Sequence, residues 1–144
     1  QAHGATHTIV YSREDFVKRV AEITGGKKVP VVYDGVGKDT FMKSLDCLAP
    51  CGYEVMFGNA SGPVPPFDLG ILAAKGSLFV TRPTLNTYTA RREDLVAGAN
   101  ELFDVVKKGA VKVNVNQTYP LREAAQAHRD LEARKTTGAT IFTV

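Results

Sequence analysis

Short apolar runs alternate with amphipathic segments along the first part of the chain. The runs at residues 7–11, 29–33, 53–57 and 77–81 are rich in β-branched and aromatic residues, which is typical of strands. In the segments between them, apolar residues recur every three or four positions and so share one face of a helix. This alternation predicts parallel strands joined by right-handed helical crossovers, that is, an α/β fold with a parallel sheet and flanking helices.

Capping residues and helix breakers predict where the helices between these strands begin and end. Ser12 and Asp15 form a capping-box-like start for the first helix. Asp39 is expected to cap the second helix, whose apolar face includes Leu48, and Asp68 is expected to start the third. The residues expected to stop these helices are Gly25, Gly26, Pro50, Gly52 and Gly76.

The pattern changes after Pro83, which divides the chain into residues 1–83 and residues 84–144. The elements expected in the second part are a long helix over residues 91–108, a strand at Val111–Val115, a helix beginning at Pro120 and a strand at Ala139–Val144. The second part is therefore predicted to be a helical segment followed by a strand-helix-strand tail.

Composition changes this picture little. A chain of 144 residues with 44% hydrophobic and 23% charged residues has the size and make-up of a globular domain. No apolar run reaches the roughly 18 residues that a membrane-spanning helix needs. The first residues also lack the basic start and apolar centre of a secretory signal, so the sequence predicts a cytoplasmic protein.

The formal net charge of +3 comes from scattered basic pairs, Lys27-Lys28, Arg91-Arg92 and Lys107-Lys108. Nucleic-acid-binding proteins usually gather their basic residues on one face, so this charge pattern disfavours a nucleic acid as the partner.

No metal site and no catalytic residue is predicted. Cys47 and Cys51 are the only cysteines, and they share no metal-ligand spacing with His3, His7 or His128. No serine lies in a nucleophile elbow, and no pair of carboxylates has a spacing that suggests acid/base work. Two unpaired cysteines that pack inside the protein are the simpler interpretation.

Parallel sheets bind ligands at the carboxyl ends of their strands, and this rule selects the candidate site. The residues at those ends are Tyr11, Asp34, Gly35, Gly58, Asn59, Thr81 and Arg82. The segment at 57–62, FGNASG, either lets a flat ring or a ribose approach closely or is only a surface turn. Arg82 either pairs with a phosphate or carboxylate of a ligand or with a surface acid.

The stretch VVYDGVGKDT, at residues 31–40, nearly matches the glycine-rich loop of dinucleotide-binding folds. Thr40 occupies the position of the third glycine. The next strand also ends without the carboxylate that would hold a ribose or the basic residue that would hold a 2′-phosphate. The sequence therefore favours a glycine turn at a strand end over a pyrophosphate loop.

Three stretches together resemble one family: ITGGKKVPVVYDGVGKDTFMKSLDCLAPCGYEVMFGNASG, GSLFVTRPTL and YPLREAAQAHRDLEARKTTG. They are similar to the quinone oxidoreductase (zeta-crystallin-like) branch of the medium-chain dehydrogenase/reductase family. The resemblance implies a partial Rossmann-like, doubly wound parallel sheet whose full strand order is 3-2-1-4-5-6. It aligns the four predicted strands with family strands 3, 4, 5 and 6. Residues 1–83 would then be the C-terminal part of an NADP-binding Rossmann domain, without its phosphate loop, and residues 84–144 a tail that rejoins a catalytic domain.

The resemblance implies NADPH-dependent hydride transfer to a quinone or an α,β-unsaturated carbonyl compound, without zinc. On this reading the 144-residue chain alone is expected to be inactive. Two alternatives stay open: an enoyl or enone reductase of the same family, and a non-catalytic structural or nucleic-acid-binding relative that uses the same fold.

The resemblance also implies the cofactor-binding residues. They are Tyr11 near the adenosine end, Gly35 facing the cofactor, Phe57, Gly58, Asn59 and Ala60 beside the nicotinamide ribose, Val80, Thr81 and Arg82 along the nicotinamide, and Arg134 reaching back to the cofactor. The edge strand at Ser77–Thr81 is expected to join two subunits into a homodimer. At the other edge, residues 7–11 are expected either to pair directly with residues 29–33 or to leave that edge to another chain.

Overall fold

Residues 4–144 are described by the structure, a computed structural model, and they divide into two units, the first ending at Ala90 and the second spanning Arg91–Val144. The elements of the first unit are α1 (Phe16–Ile23), β1 (Val29–Asp34), α2 (Phe41–Asp46), β2 (Leu48–Met56), α3 (Gly70–Ala74), β3 (Phe79–Thr81) and the short α4 (Leu85–Tyr88).

The three strands of the first unit form one parallel sheet in the order β1-β2-β3. Val32 lies beside Glu54 in the register, and Glu54 lies beside Val80. The predicted α/β class, with a parallel sheet and flanking helices, is confirmed. Glu54 is thus placed on the central strand, with a neighbouring strand on each side.

The strand predicted at residues 7–11 is wrong. Residues 7–10 have no regular structure, and Tyr11 lies in a turn. β1 pairs with β2 only, so within residues 4–144 no strand lies along its other edge. A strand without a neighbour leaves its backbone groups unpaired, and a β-branched run alone cannot supply that neighbour. The predicted direct pairing of residues 7–11 with β1 is therefore also wrong, and covering of this edge by another chain stays a prediction.

The first helix begins as its capping residue indicates. Asp15 is the N-cap of α1, and its Oδ1 accepts hydrogen bonds from the backbone N–H groups of Val17 at 3.0 Å and Lys18 at 3.4 Å. These bonds satisfy donors that the first turn of a helix leaves free. The acid of the predicted capping box is therefore the cap itself.

The prediction that Asp39 caps the second helix is wrong. α2 begins at Phe41 with Thr40 as its N-cap, and the Thr40 side chain makes no capping bond. Its hydroxyl donates instead to the Asp34 carboxylate. The first turn is closed through the backbone, because the Phe41 N–H donates to the Gly37 carbonyl oxygen at 2.9 Å.

The assignment of Leu48 to the second helix is also wrong. Leu48 is the first residue of β2 and pairs with Val29 of β1. The helix ends at Asp46, and the Cys47 carbonyl oxygen accepts a hydrogen bond from the Val29 N–H at 3.0 Å. The chain therefore enters the sheet one turn earlier than the apolar pattern predicts, although Leu48 is buried as expected.

The core of the first unit lies between α2 and one face of the sheet. Its buried apolar members are Phe41, Leu45, Leu48, Met56 and Leu78. The ring of Phe67 packs on Phe41 with centroids 5.0 Å apart and planes tilted by 52°. On the opposite face Tyr53 and Phe79 stack with centroids 4.7 Å apart, and both rings are about half exposed.

The second unit contains the long helix and the strand-helix-strand tail that were predicted. Its elements are α5 (Arg92–Lys107), β4 (Val115–Pro120), a 3-10 turn (Leu121–Glu123), α6 (Ala124–Glu132) and β5 (Ala139–Thr143). β4 and β5 pair in parallel from Val115 beside Ala139 to Pro120 beside Thr143. The strand expected at residues 111–115 therefore lies further along the chain, because pairing with β5, and not local apolarity, selects the residues that extend.

Candidate functional site

The carboxyl ends of β1, β2 and β3 meet at one edge of the sheet. Asp34 is paired with Met56, and Val55 is paired with Thr81, so the three strands end side by side. The loops that follow, residues 35–40 and residues 57–62, therefore start next to each other. This edge is the place where an open parallel sheet binds its ligand.

The first loop is organised around the buried carboxylate of Asp34. Oδ1 accepts hydrogen bonds from the N–H groups of Val36 at 2.7 Å and Gly37 at 3.0 Å. Oδ2 accepts from the hydroxyls of Thr40 at 2.7 Å and Ser44 at 3.1 Å. A carboxylate can only accept, and here it has four donors, which fixes the turn between β1 and α2.

Thr40 and Ser44 are the residues of this edge that sequence reasoning missed. They are four positions apart, one in front of and one within α2, and they present their hydroxyls to the same end of β1. The pattern of an acid at a strand end followed by two hydroxyl residues at helical spacing is the signal that could have identified them. At the position where a dinucleotide loop has glycine, this chain has Thr40, whose hydroxyl donates to the Asp34 carboxylate.

Backbone hydrogen bonds join the second loop to the first. The Ala60 N–H donates to the Gly35 carbonyl oxygen at 3.2 Å, and the Ser61 N–H donates to the Val36 carbonyl oxygen at 2.8 Å. The Ser61 hydroxyl donates to the same Val36 oxygen at 2.8 Å. The two loops therefore form one surface.

Close packing explains the glycines on this surface. A Cβ atom on Gly58 would lie 2.4 Å from the carbonyl oxygen of Gly35, which no side chain tolerates. A Cβ atom on Gly35 would lie 3.0 Å from Cζ of the Phe57 ring. Gly37 has a φ of +93°, a backbone conformation that favours glycine. The two loops can approach each other this closely because Gly35 and Gly58 carry no side chain.

Arg82 connects the end of β3 to the end of β2 and to the second loop. Its Nη1 donates to the Met56 carbonyl oxygen at 3.0 Å. With its amide oriented so that both ends are satisfied, Asn59 accepts from Arg82 Nη2 at 3.3 Å and donates to the Gly58 carbonyl oxygen at 2.9 Å. The guanidinium thus contacts protein oxygens from two segments.

Two cavities flank this surface. One, of about 230 Å³, is lined by Tyr11, Tyr33, Gly35 and neighbouring residues. The other, of about 290 Å³, is lined by Asn59, Val80, Arg82 and apolar core residues. The structure therefore brings Tyr11 and Gly35 to one cavity, and Asn59, Val80 and Arg82 to the other.

The remaining predicted site residues are placed as follows. Phe57 and Ala60 lie on the joined loops, and Thr81 is the last residue of β3. Arg134 belongs to the second unit, just after α6, where it has a φ of +57° and its N–H donates to the Leu131 carbonyl oxygen at 3.0 Å. It is not among the residues that the first unit brings together.

Glu54 is a buried carboxyl group that sequence reasoning also missed. Its side chain is 0% exposed, and neither of its oxygens has a hydrogen-bond partner among residues 4–144. Burial, and secondly the charge of Asp34, raises the pKa of Glu54 to about 8. An uncompensated charge is costly in such a place, so the protonated form predominates at neutral pH.

The two cysteines differ in exposure, and neither forms a disulfide. Cys47 is buried, its Sγ donates to the Lys43 carbonyl oxygen at 3.5 Å, and burial, followed by the charge of Asp46, raises its pKa to about 11. Cys51 is exposed. His3 lies outside the described residues. Among those that are described, no three His, Cys, Asp or Glu side chains gather into a group that could hold a metal ion.

No helix within residues 4–144 is both long enough and apolar enough to cross a membrane.

Comparison with known proteins places nearly the whole chain in one family. A family model described as zinc-binding dehydrogenase matches residues 3–141. A quinone oxidoreductase of Pseudomonas aeruginosa is 57% identical over 140 residues, which are 97% of this chain and 43% of that protein. A 2-haloacrylate reductase of a Burkholderia species is 49% identical over 143 residues, which are 96% of this chain and 42% of that protein.

A solved structure gives the same result. The crystal structure of Escherichia coli quinone oxidoreductase complexed with NADPH superposes with a TM-score of 0.92 at 52% sequence identity. The match covers 97% of this chain and 44% of that one. The chain therefore spans less than half the length of the relatives that it matches.

Proposed function

We propose that this chain, which belongs to the quinone oxidoreductase branch of the zinc-binding dehydrogenase family, supplies part of the NADPH site of a zinc-independent, cytoplasmic reductase. The reductase would transfer hydride from the nicotinamide to a quinone or an α,β-unsaturated carbonyl compound. The observation that carries the proposal is the 52% identity, at a TM-score of 0.92, to a quinone oxidoreductase crystallised with NADPH.

The joined loops fit the work of holding a cofactor. NADPH, when bound, supplies the hydride, so the protein has only to bind and orient it. Gly35 and Gly58 lie in contact with no side chain between them, and small residues of this kind would let a flat ring or a ribose come close to the loops. We assign Phe57, Gly58, Asn59 and Ala60 to the nicotinamide ribose.

The other cofactor contacts are proposed on the same basis. We assign Tyr11 to the adenosine end, Gly35 to the cofactor's face, and Val80, Thr81 and Arg82 to the nicotinamide side. Arg134 would reach the cofactor from the tail. No residue of this chain is proposed as a catalytic acid or base, since hydride transfer from a positioned cofactor requires neither from this part.

One relative favours a second substrate class. The Burkholderia protein is a 2-haloacrylate reductase and is 49% identical to this chain. Its substrate is an α,β-unsaturated acid, and hydride addition to such a compound uses the same cofactor chemistry as quinone reduction. An enone or enoyl reductase is therefore the alternative function.

The edge of β3 is proposed as the subunit contact of a homodimer. β3 pairs only with β2, so its outer edge presents backbone groups without a strand partner within residues 4–144. Phe79 and Val80 are exposed on this short strand. Sedimentation should show a dimer that Phe79→Lys weakens, and a monomeric wild-type protein would refute the contact.

The central experiment is a titration with NADPH and NADH. It should be made on the 144-residue chain and on the product of the complete reading frame that contains it. We expect binding by the longer product, turnover of a quinone or of 2-haloacrylate that chelators do not reduce, and no turnover by the chain alone. Failure of the longer product to bind either cofactor would refute the reductase and favour a non-catalytic relative.

A further inference from the structure

Arg82 extends the pairing between β2 and β3 beyond the last pair of strand residues. The ladder ends where Val55 lies beside Thr81. One residue further on, the Arg82 side chain makes the next hydrogen bond to β2, since its Nη1 donates to the Met56 carbonyl oxygen at 3.0 Å. The guanidinium therefore satisfies a carbonyl oxygen at the point where the backbone of β3 turns away.

A second nitrogen of the same guanidinium reaches the ligand-binding loop. With the Asn59 amide oriented so that both of its ends are satisfied, its oxygen accepts from Nη2 at 3.3 Å and its nitrogen donates to the Gly58 carbonyl oxygen at 2.9 Å. A planar fork with donors in fixed directions suits two acceptors in different segments, whereas an ammonium group is a point charge. The Arg82 guanidinium is thus linked to the Gly58 peptide through the Asn59 amide.

The loop is also held from its other side. The Gly58 position allows no Cβ atom because the Gly35 carbonyl oxygen would be 2.4 Å away. The Ala60 N–H is bonded to the same Gly35 oxygen. The loop at residues 57–60 therefore lies between the backbone of Gly35 and the guanidinium of Arg82.

We infer that Arg82 is a positioning residue for the loop at residues 57–60, and that it acts through Asn59 and Met56 instead of pairing with a phosphate or carboxylate of a ligand. This role replaces the nicotinamide-side contact proposed for Arg82. It rests on the proposed function only because it treats the loop as part of the cofactor site. Nη1 already donates to the Met56 carbonyl oxygen, and with the Asn59 amide oriented as above Nη2 donates to its oxygen.

The first test measures the loop itself and needs no cofactor. Amide hydrogen exchange in the full chain is compared for wild type, Arg82→Gln, Arg82→Lys and Asn59→Ala, with Arg92→Gln of α5 as the charge-matched control. We expect all three site variants to speed exchange of the Ala60 N–H by on the order of tenfold and to leave the β1–β2 ladder unchanged. Wild-type exchange in Arg82→Lys would overturn the inference, because charge alone would then suffice. If Arg82 variants unfold, Asn59→Ala, which keeps Arg82 and the charge, decides the question.

The second test separates positioning from phosphate binding in the protein that binds NADPH. A positioning role predicts that Arg82→Gln and Arg82→Lys weaken NADPH binding by similar factors, on the order of tenfold, with an unchanged salt dependence of Kd. A phosphate ligand would instead give near-normal binding in Arg82→Lys and a reduced salt dependence in Arg82→Gln. That second result overturns the inference. Absence of any cofactor binding would count against the proposed function, and hydrogen exchange would still decide the role of Arg82.

Discussion

Replacing the buried carboxyl group of Glu54 should abolish a large part of the pH dependence of folding stability. Glu54 lies on the central strand between Val32 and Val80, is 0% exposed, and makes no hydrogen bond to residues 4–144. The charged group that acts on it is Asp34 on β1, whose charge raises the pKa of Glu54. Glu54 in turn raises the pKa of Cys47. Among residues 4–144, the groups that shift the pKa of Glu54 include no cation that would favour its ionised form.

The magnitude follows from the difference between the folded and unfolded pKa. The pKa of Glu54 rises from the ordinary 4.5 to about 8 in the folded protein. Between these values the folded state holds a proton that the unfolded chain has lost. The contribution of this proton to the free energy of unfolding is therefore fully present below the unfolded pKa and is lost as pH rises through about 8. The loss is at most about 1.4 kcal/mol per pH unit. Across the whole window the loss is on the order of 5 kcal/mol.

Urea unfolding at about pH 5.5 and about pH 8 measures this loss in the free energy of unfolding. We expect wild type to lose about 2–3 kcal/mol between these conditions, and Glu54→Gln, which is neutral throughout and similar in size, to lose much less. Glu101→Gln, on the exposed face of α5, is the matched control and should keep the wild-type slope. The same slope in Glu54→Gln as in wild type would refute a buried, protonated Glu54.

Three further predictions concern the candidate site and the cysteines. Gly58→Ala places a methyl group 2.4 Å from a backbone oxygen and should lower the free energy of unfolding by about 1–3 kcal/mol in urea titrations, so a neutral effect would show that the loops are not in contact. Thr40→Val removes a donor to the buried Asp34 carboxylate and should cost about 1.5–3 kcal/mol by the same measurement, whereas Thr40→Ser should keep most of the stability; equal losses would contradict the hydrogen bond. A thiol reagent near neutral pH should modify Cys51 at least about tenfold faster than Cys47 by mass spectrometry, and the reverse order would contradict the burial of Cys47.

The sequence predicts the types of most elements because those types depend on local patterns. The helix at Phe16–Ile23 shows its apolar face and its capping acid within a few residues, and the long helix at Arg92–Lys107 extends over more than four turns of uninterrupted pattern. Extended segments are different, since pairing with another segment is what selects them. Residues 7–11 have strand-like composition but no strand partner within residues 4–144, whereas β4 has polar composition and pairs with β5.

The same distinction applies to the candidate site. The rule for parallel sheets places the site at the strand ends, and the small residues of the loops follow from the sequence alone. The side chains that hold these loops make contacts between residues that are far apart in the sequence. Arg82 and Met56 are 26 residues apart, and Ser61 and Val36 are 25 residues apart. No local pattern carries that information, so the sequence alone leaves open whether Arg82 pairs with a ligand or with the protein.

Asp34 and Glu54 show how one sheet gives two carboxyl groups opposite environments. They lie on neighbouring strands, and Asp34 accepts hydrogen bonds from two N–H groups and two hydroxyls, whereas Glu54 accepts none from the residues that the structure describes. The charge of Asp34 in turn helps to keep Glu54 protonated. A negative Glu54 would repel the carboxylate that fixes the turn at Gly37, and this turn supports the loop surface at the strand ends. The buried proton of Glu54 is therefore tied to the shape of the candidate site as well as to the stability of the sheet.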